Sequence, residues 1–334
     1  MLTLATQWVW DFWFADDGHR YHLFFLHAPR DLQDPDLRHW NARIGHATSA
    51  DLINWSEEPD ALAPGPAGSF DDRATWTGSV VQHPDGTWWM FYTGASSAEN
   101  GLVQRIGVAT SPDLYTWTAD RNGALVTTDS RWYEQLAAGA WFDEAWRDPW
   151  VYWDDQTCRW QMLVTARSNS GAPDDRGVIG LATSPDLAHW TVQPPLTTVG
   201  SGFGYLEVPQ LHTVQGRQVL IFSCPGSQLA QHRQLSLERG GIWAIPYPPT
   251  SGGPPWNLTG ASLLTDESFY SGRLINTRDG HPVLLAFHNV GDDGFVGTIS
   301  DPMPVHWNSV GELAVTATAV AGTSTALLSP ATHP

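Results

Sequence analysis

Three acidic side chains stand in aromatic company that acids seldom keep. Asp11 lies in Trp8-Val9-Trp10-Asp11-Phe12-Trp13-Phe14, Asp148 in Trp146-Arg147-Asp148-Pro149, and Glu207 in Tyr205-Leu206-Glu207-Val208-Pro209. Burying a carboxylate among apolar neighbours is costly unless it is paired or performs chemistry. Forced proximity splits the proton affinities of neighbouring acids, leaving one protonated while another stays ionised. Such a pair suits glycoside hydrolysis, in which one carboxyl is nucleophile or base and the other is the acid. Trp and Tyr offer flat faces to sugar C–H groups, and Arg clamps hydroxyls. Any one of these acids, taken alone, reads as a residue bonded to backbone amides. Three at matching positions favour a shared site.

Those positions match because the chain repeats. Ile44-Gly45-His46-Ala47-Thr48-Ser49-Ala50-Asp51-Leu52-Ile53-Asn54-Trp55 recurs as Ile106 to Trp117 and again as Ile179 to Trp190. A weaker copy runs from Phe295 to Trp307, and a more degenerate one from Gly241 to Trp256. Upstream of each copy is a β-branched and aromatic run, starting at Tyr21, Trp88, Trp160, Gln218 and Pro282, which reads as a buried strand. A turn precedes each run, and before each turn lies another apolar strand. After each repeat Trp a further short strand is expected: Ala61 to Ala63, Ala124 to Thr127, Leu196 to Val199, Ala261 to Leu264 and Glu312 to Val315. Five units of four antiparallel strands, about 67 residues each over 334, predict an all-β, five-bladed β-propeller. The S-x-D-L-x-x-W element occurs once per blade, so its role is structural: a capped turn, then a Trp packed between blades.

In a propeller the first strand of each blade lines the central channel. The five inner strands begin at Trp8–Asp11, Trp76–Ser79, Trp146–Pro149, Tyr205–Pro209 and Phe269–Arg273. Asp11, Asp148 and Glu207 are the candidate catalytic residues, and Trp10, Trp76, Ser79, Arg147, Tyr270 and Arg273 the candidate substrate contacts. Trp13 and Trp146 are expected in the same pocket. Strand alternation points Arg147 away from Asp148 unless the backbone twists. Segment 128–145 is the one clear insertion, with a helical turn expected around Glu134 to Ala140. Residues 1–318 are expected to form one catalytic domain, and the small, polar tail 319–334 to be disordered.

These blocks resemble glycoside hydrolase clan J, the five-bladed fructan- and sucrose-active enzymes of families 32 and 68. Tyr21-His22-Leu23-Phe24-Phe25 with His46-Ala47-Thr48-Ser49 is similar to the family's first blade. Trp76-Thr77-Gly78-Ser79 resembles its W-S-G-S block, Arg147-Asp148-Pro149 its R-D-P, Glu207-Val208-Pro209 its E-C-P and Phe269-Tyr270 its D-F-Y-A. The resemblance implies a retaining β-fructofuranosidase acting on sucrose or short fructo-oligosaccharides, with either hydrolysis or fructosyl transfer. Asp11 would be the nucleophile, Asp148 the transition-state stabiliser and Glu207 the general acid/base. Three departures accompany it. Trp8-Val9-Trp10-Asp11-Phe12-Trp13 is closer to the V-W-D-x-W of family 68. Leu26 or His27 replaces the Gln that follows Y-H-L-F-Y in family 32. No C-terminal β-sandwich is expected after blade five.

Two other readings stand beside it. An arabinofuranosidase or xylosidase of families 43 and 62 would keep the fold and change the sugar. A non-catalytic carbohydrate-binding propeller would need no protonated carboxyl.

Composition excludes other classes. All 17 basic residues are Arg, so there is neither a Schiff-base nor a P-loop lysine. A formal charge of −18 argues against nucleic acid as a partner. No apolar run approaches the roughly 20 residues of a membrane helix, and Met1 to Trp10 show no secretory signal. A cytoplasmic location is therefore expected. Two cysteines make no disulfide framework. Thirteen histidines include no H-E-x-x-H or zinc spacing, so no metal or other cofactor is expected. His46 reads as a structural histidine. The pairs Asp16-Asp17, Asp71-Asp72, Asp154-Asp155, Asp174-Asp175 and Asp292-Asp293 read as solvated turn charges, with a structural Ca²⁺ as the sharper alternative. The oligomeric state is not legible in the sequence.

Overall fold

A computed structural model of the chain describes residues 1–248 and 253–316. The expected tail 319–334 lies outside the described residues, as does part of the degenerate repeat copy. Five antiparallel sheets follow one another in chain order, each built strand beside strand. Their first strands are Gln7–Asp16, Ala74–Gln82, Trp146–Asp154, Glu207–Val214 and Phe269–Asn276. Each touches the next, and the fifth touches the first, so the sheets close into a five-bladed propeller. In blade V the third strand is broken at residues 300–302. Gly294–Ile299 and Met303–Trp307 both pair with Pro282–Gly291.

Leu2 fastens the ring by exchanging both backbone hydrogen bonds with Ile299, each 3.0 Å. The second strands, such as Tyr21–Pro29 and Trp88–Ala95, are buried along most of their length, since neighbouring blades cover both faces. This is why they read as continuous apolar runs rather than alternating ones.

The repeated element builds the same corner three times. The Ser49, Ser111 and Ser184 hydroxyls accept from the backbone N–H of Asp51, Asp113 and Asp186 at 3.1, 3.2 and 3.1 Å. Those carboxylates accept in turn from Ile53, Tyr115 and Ala188. Leu52, Leu114 and Leu187 follow with φ of 65°, 67° and 64°, all fully buried. Burial offsets a backbone region that residues other than glycine seldom enter. The indoles of Trp117 and Trp190 donate to the carbonyls of Leu114 and Leu187. His46 is buried 3.0 Å from His22 and stacked on Phe24, and burial pulls its imidazole down to about 3.

Two expectations need correction. The fourth strands of blades II and III are Thr118–Asp120 and Thr191–Gln193, directly after the repeat Trp. Ala124–Thr127 and Leu196–Val199 lie beyond them and bond back to the third strand, Leu125 N–H to Ile106 and Leu196 N–H to Ile179. Nor is Asp71 a solvated turn charge. It is fully buried, accepting from Tyr92 at 2.9 Å and pairing with Arg121 at 3.1 Å.

Candidate active site

Every inner strand carries one more residue than its partner at the same level. The register slips between Trp10 and Phe12, Trp76 and Gly78, Arg147 and Trp150, Glu207 and Gln210, and Tyr270 and Arg273. A bulge of this kind interrupts strand alternation and re-aims side chains. Asp148, Val208 and Ser271 take positive φ there, at 59°, 52° and 48°. Five bulges at one level make a ring of side chains at one end of the channel.

The ring is tied by hydroxyls. Asp11 occupies the extra position of blade I and accepts from Thr77 of blade II and Ser271 of blade V, both at 2.6 Å. Asp148 Oδ2 accepts from the Thr165 hydroxyl at 2.7 Å and from the Val208 N–H of blade IV at 3.2 Å. Thr93 accepts from the Asp148 N–H and donates to the Thr77 carbonyl. Ser223 accepts from the Ser271 N–H. Thr93, Thr165 and Ser223 stand opposite Trp76, Arg147 and Glu207, so blades II, III and IV each offer a hydroxyl to a neighbouring bulge.

Asp11, Asp148 and Glu207 line one cavity of about 440 Å³, within the range of small-molecule sites. Burial raises the Asp11 carboxyl, and the nearby Glu207 charge raises it further, against the pull of Ser271 and Thr77. Asp148 is pushed up to about 6 by burial, with Arg147 lowering it and Asp11 and Glu207 raising it. Glu207, its side chain 21 % exposed against 4 % for Asp148, faces the cavity more openly. Its Oε1 accepts from Arg147 Nη2 at 2.7 Å, and its Oε2 from the Tyr270 hydroxyl. Burial holds that phenol well above its ordinary range, so it remains a donor.

Of the expected contacts, Trp10, Trp76, Arg147 and Tyr270 line the cavity. Arg147 does so beside Asp148, because the bulge suspends the alternation that would separate them. Ser79 and Arg273 do not line it. The Ser79 hydroxyl is buried and accepts from the Val151 N–H at 3.1 Å. Arg273 is 1 % exposed and donates to the carbonyls of Phe12 and Pro209, at 3.1 and 3.0 Å. It is a buried counter-charge felt by Asp148 and Asp11, and burial lowers its guanidinium to about 10. Trp13 and Trp146 are core residues, stacked on Phe24 and packed edge-on against Tyr133.

Several lining residues were not anticipated from the sequence. The turn Pro35–Asn41 brings Arg38, His39 and Trp40 to the cavity, and the Trp76 indole donates to the His39 carbonyl at 2.7 Å. The insertion 128–145 contributes Phe142 and Asp143, and its only helical turn is Leu136–Ala138.

A family model described as the glycosyl hydrolases family 32 N-terminal domain matches residues 13–293. The chain belongs to glycoside hydrolase family 32. This overturns the alternative placement with families 43 and 62. Asp11 lies just ahead of the matched stretch.

The raffinose invertase of Escherichia coli is 28% identical over 281 residues, covering 82% of this chain and 53% of that protein. The sucrose-6-phosphate hydrolase of Bacillus subtilis is 29% identical, covering 67% and 42%. The family 32 chain thus spans about half, or less, of the length of these curated relatives. Among solved structures, the inulosucrase from Halalkalicoccus jeotgali bound to kestose shares the fold with a TM-score of 0.74 at 21% identity, over 94% of this chain and 90% of that one. Fructan 1-exohydrolase IIa from Cichorium intybus shares it with a TM-score of 0.67 at 19% identity, over 94% and 59%. No helix among the described residues is long and apolar enough to cross a membrane.

Proposed function

We propose that this family 32 protein is a retaining β-fructofuranosidase that cleaves sucrose or short fructo-oligosaccharides. The observation that carries the reading is the ring of bulges, which aims Asp11, Asp148 and Glu207 into one aromatic-walled cavity. Matched relatives named as invertases and sucrose-6-phosphate hydrolases support the sugar class.

Asp11 attacks the anomeric carbon of the fructosyl unit while Glu207 protonates the departing glycosidic oxygen. Water then enters, Glu207 takes its proton, and the bond to Asp11 breaks. A second sugar hydroxyl in place of water gives fructosyl transfer by the same two steps. Thr77 and Ser271 hold both oxygens of Asp11, which fixes its direction of attack. Asp148 hydrogen-bonds ring hydroxyls and favours the oxocarbenium-like transition state. Trp10 and Trp76 form the apolar walls, and Arg147 and Tyr270 grip the acid.

The test is release of fructose from sucrose and 1-kestose, with Asp11→Ala and Glu207→Gln alongside. Glu207→Gln is expected to lose about a thousandfold in turnover, within the span for a single proton-transfer group, and Asp11→Ala, which removes the nucleophile, should lose no less. The first-formed fructose should be the β-anomer by NMR. Unchanged turnover in either variant, or an inverted product, overturns the reading. Binding of these sugars without any release would return the carbohydrate-binding alternative.

A further inference from the structure

The insertion 128–145 delivers one charged side chain to the catalytic carboxyls, and it does so through a single guanidinium. Arg147 Nη2 donates to Glu207 at 2.7 Å, while Nη1 donates to Asp143 Oδ2 at 3.1 Å and to Gln104 at 2.8 Å. Gln104 returns its amide N–H to the same Asp143 oxygen at 3.1 Å. The other Asp143 oxygen accepts from the Tyr205 hydroxyl, which itself accepts from the Trp141 indole. Arg147 lies 4.4 Å over the Tyr205 ring. One cation therefore serves three carboxylates: Glu207 and Asp143 by hydrogen bonds, and Asp148 more distantly, at 3.8 Å from Nε.

We propose that Asp143 is a positioning residue that divides the charge of Arg147 with Glu207 and thereby sets the proton affinity of the acid. This rests on the reading of Glu207 as the acid/base. An arginine given wholly to Glu207 would stabilise its ionised form, and an acid held ionised cannot protonate a leaving oxygen. Asp143 draws part of that charge away. Tyr205 moderates it, because burial keeps its phenol protonated and donating to Asp143.

The other groups facing this network are fixed between the variants compared. Asp148 and Asp11 reach Glu207 from blades III and I, Tyr270 from blade V and Cys224 from the second strand of blade IV. Arg167 reaches Asp143, and His39 reaches Arg147 from the cavity wall.

The experiment follows the Glu207 carboxyl directly by NMR titration of protein labelled with ¹³C at the glutamate carboxyls, assigned with Glu207→Gln. Asp143→Asn keeps the shape of the network and one oxygen to accept from Arg147 and Gln104, removes the negative charge, and places an N–H group where the Tyr205 hydroxyl now donates. Its Glu207 midpoint should fall by about one pH unit, with the alkaline limb of kcat/KM falling equally on sucrose. Conservative Asp143→Glu should restore both toward the wild-type values. A midpoint that stays or rises in Asp143→Asn overturns the proposal.

If that variant does not fold, Tyr205→Phe decides by opposite sign. Freed from the phenol, Asp143 pulls harder on Arg147 and the Glu207 midpoint should rise; no rise overturns the proposal. The titration needs no substrate, so a protein inactive on fructosides would sink the proposed function while leaving this measurement readable.

Discussion

The Ser271 hydroxyl donates to Asp11 at 2.6 Å across 260 residues of chain, at the seam where the last blade meets the first. Closure of the propeller therefore also fixes the Asp11 carboxyl. Ser271 and Thr77 pull the Asp11 carboxyl down, against burial and the Glu207 charge, which together leave it raised. Ser271→Ala and Thr77→Val should each raise the Asp11 pKa further. The acidic limb of kcat/KM then moves to higher pH, with activity below the optimum falling about tenfold per pKa unit. A pH–rate profile on sucrose checks this, and an unmoved limb in both variants refutes the role given to these hydroxyls.

The burial that raises the Asp148 carboxyl carries a stability cost above its pKa. Its folded pKa of about 6 lies above the ordinary 3.8, so the native state binds more protons than the unfolded chain between those values. Stability from this group is complete below about pH 4 and is lost as pH rises to about 6 and beyond. Asp148→Asn can still accept from Thr165 and Val208 without bearing the charge. It should raise stability at pH 7 by up to about 3 kcal/mol, from a shift near two units at 1.36 kcal/mol each. Urea denaturation at pH 4 and pH 7 measures the difference, which should shrink at the lower pH. Turnover should be lost in the same variant.

Gly78 sits immediately after the bulged Thr77 because there is no room for a side chain. A Cβ built there would stand 2.2 Å from the Phe91 carbonyl oxygen and 3.3 Å from the Trp13 ring. The strand must shift to admit one. Gly78→Ala should cost about 1–3 kcal/mol, the span for overpacking a tight core. It should also weaken activity by displacing Thr77. Chemical denaturation with a parallel assay would show both losses, and an unchanged midpoint would place the constraint elsewhere.

Arg167 seats the insertion on blade III. It is 1 % exposed and pairs with Glu134 at 2.8 Å. It also donates to the carbonyls of Gly204 and Pro173, and lies 3.6 Å over the Trp141 ring. Arg167→Met removes a charge and leaves Glu134 with Arg176 alone. A loss of about 3–5 kcal/mol is expected for breaking a buried pair from one side. Because Trp141 leads directly into Phe142 and Asp143, KM should rise as well. Denaturation midpoints and a kcat–KM split in the stable temperature range test the two effects together.

The blade count, the strand runs and the scaffold role of the S-x-D-L-x-x-W corner were legible in the sequence, because each is set by local chemistry repeated at a near-constant interval. The three acids were legible as well. A carboxylate among aromatic and apolar residues is anomalous wherever the chain takes it.

Their partners were not legible for the same reason in reverse. Thr77, Thr93, Thr165, Ser223 and Ser271 are ordinary strand residues until a neighbouring blade approaches. A hydroxyl closing three of the five second-strand runs, in Tyr92-Thr93-Gly94-Ala95, Val164-Thr165-Ala166-Arg167 and Phe222-Ser223-Cys224-Pro225, was the available clue. Ser79 and Arg273 misled because a place near the start of an inner strand was read as facing the channel, whereas both lie just past the bulge, where their side chains are buried. Asp143 was hidden in an insertion whose path only packing decides. The sequence by itself thus determined the blades and named the acids. The tertiary structure alone decided which side chains meet them, since a bulge turns a residue by pairing with a strand that sequence spacing does not register.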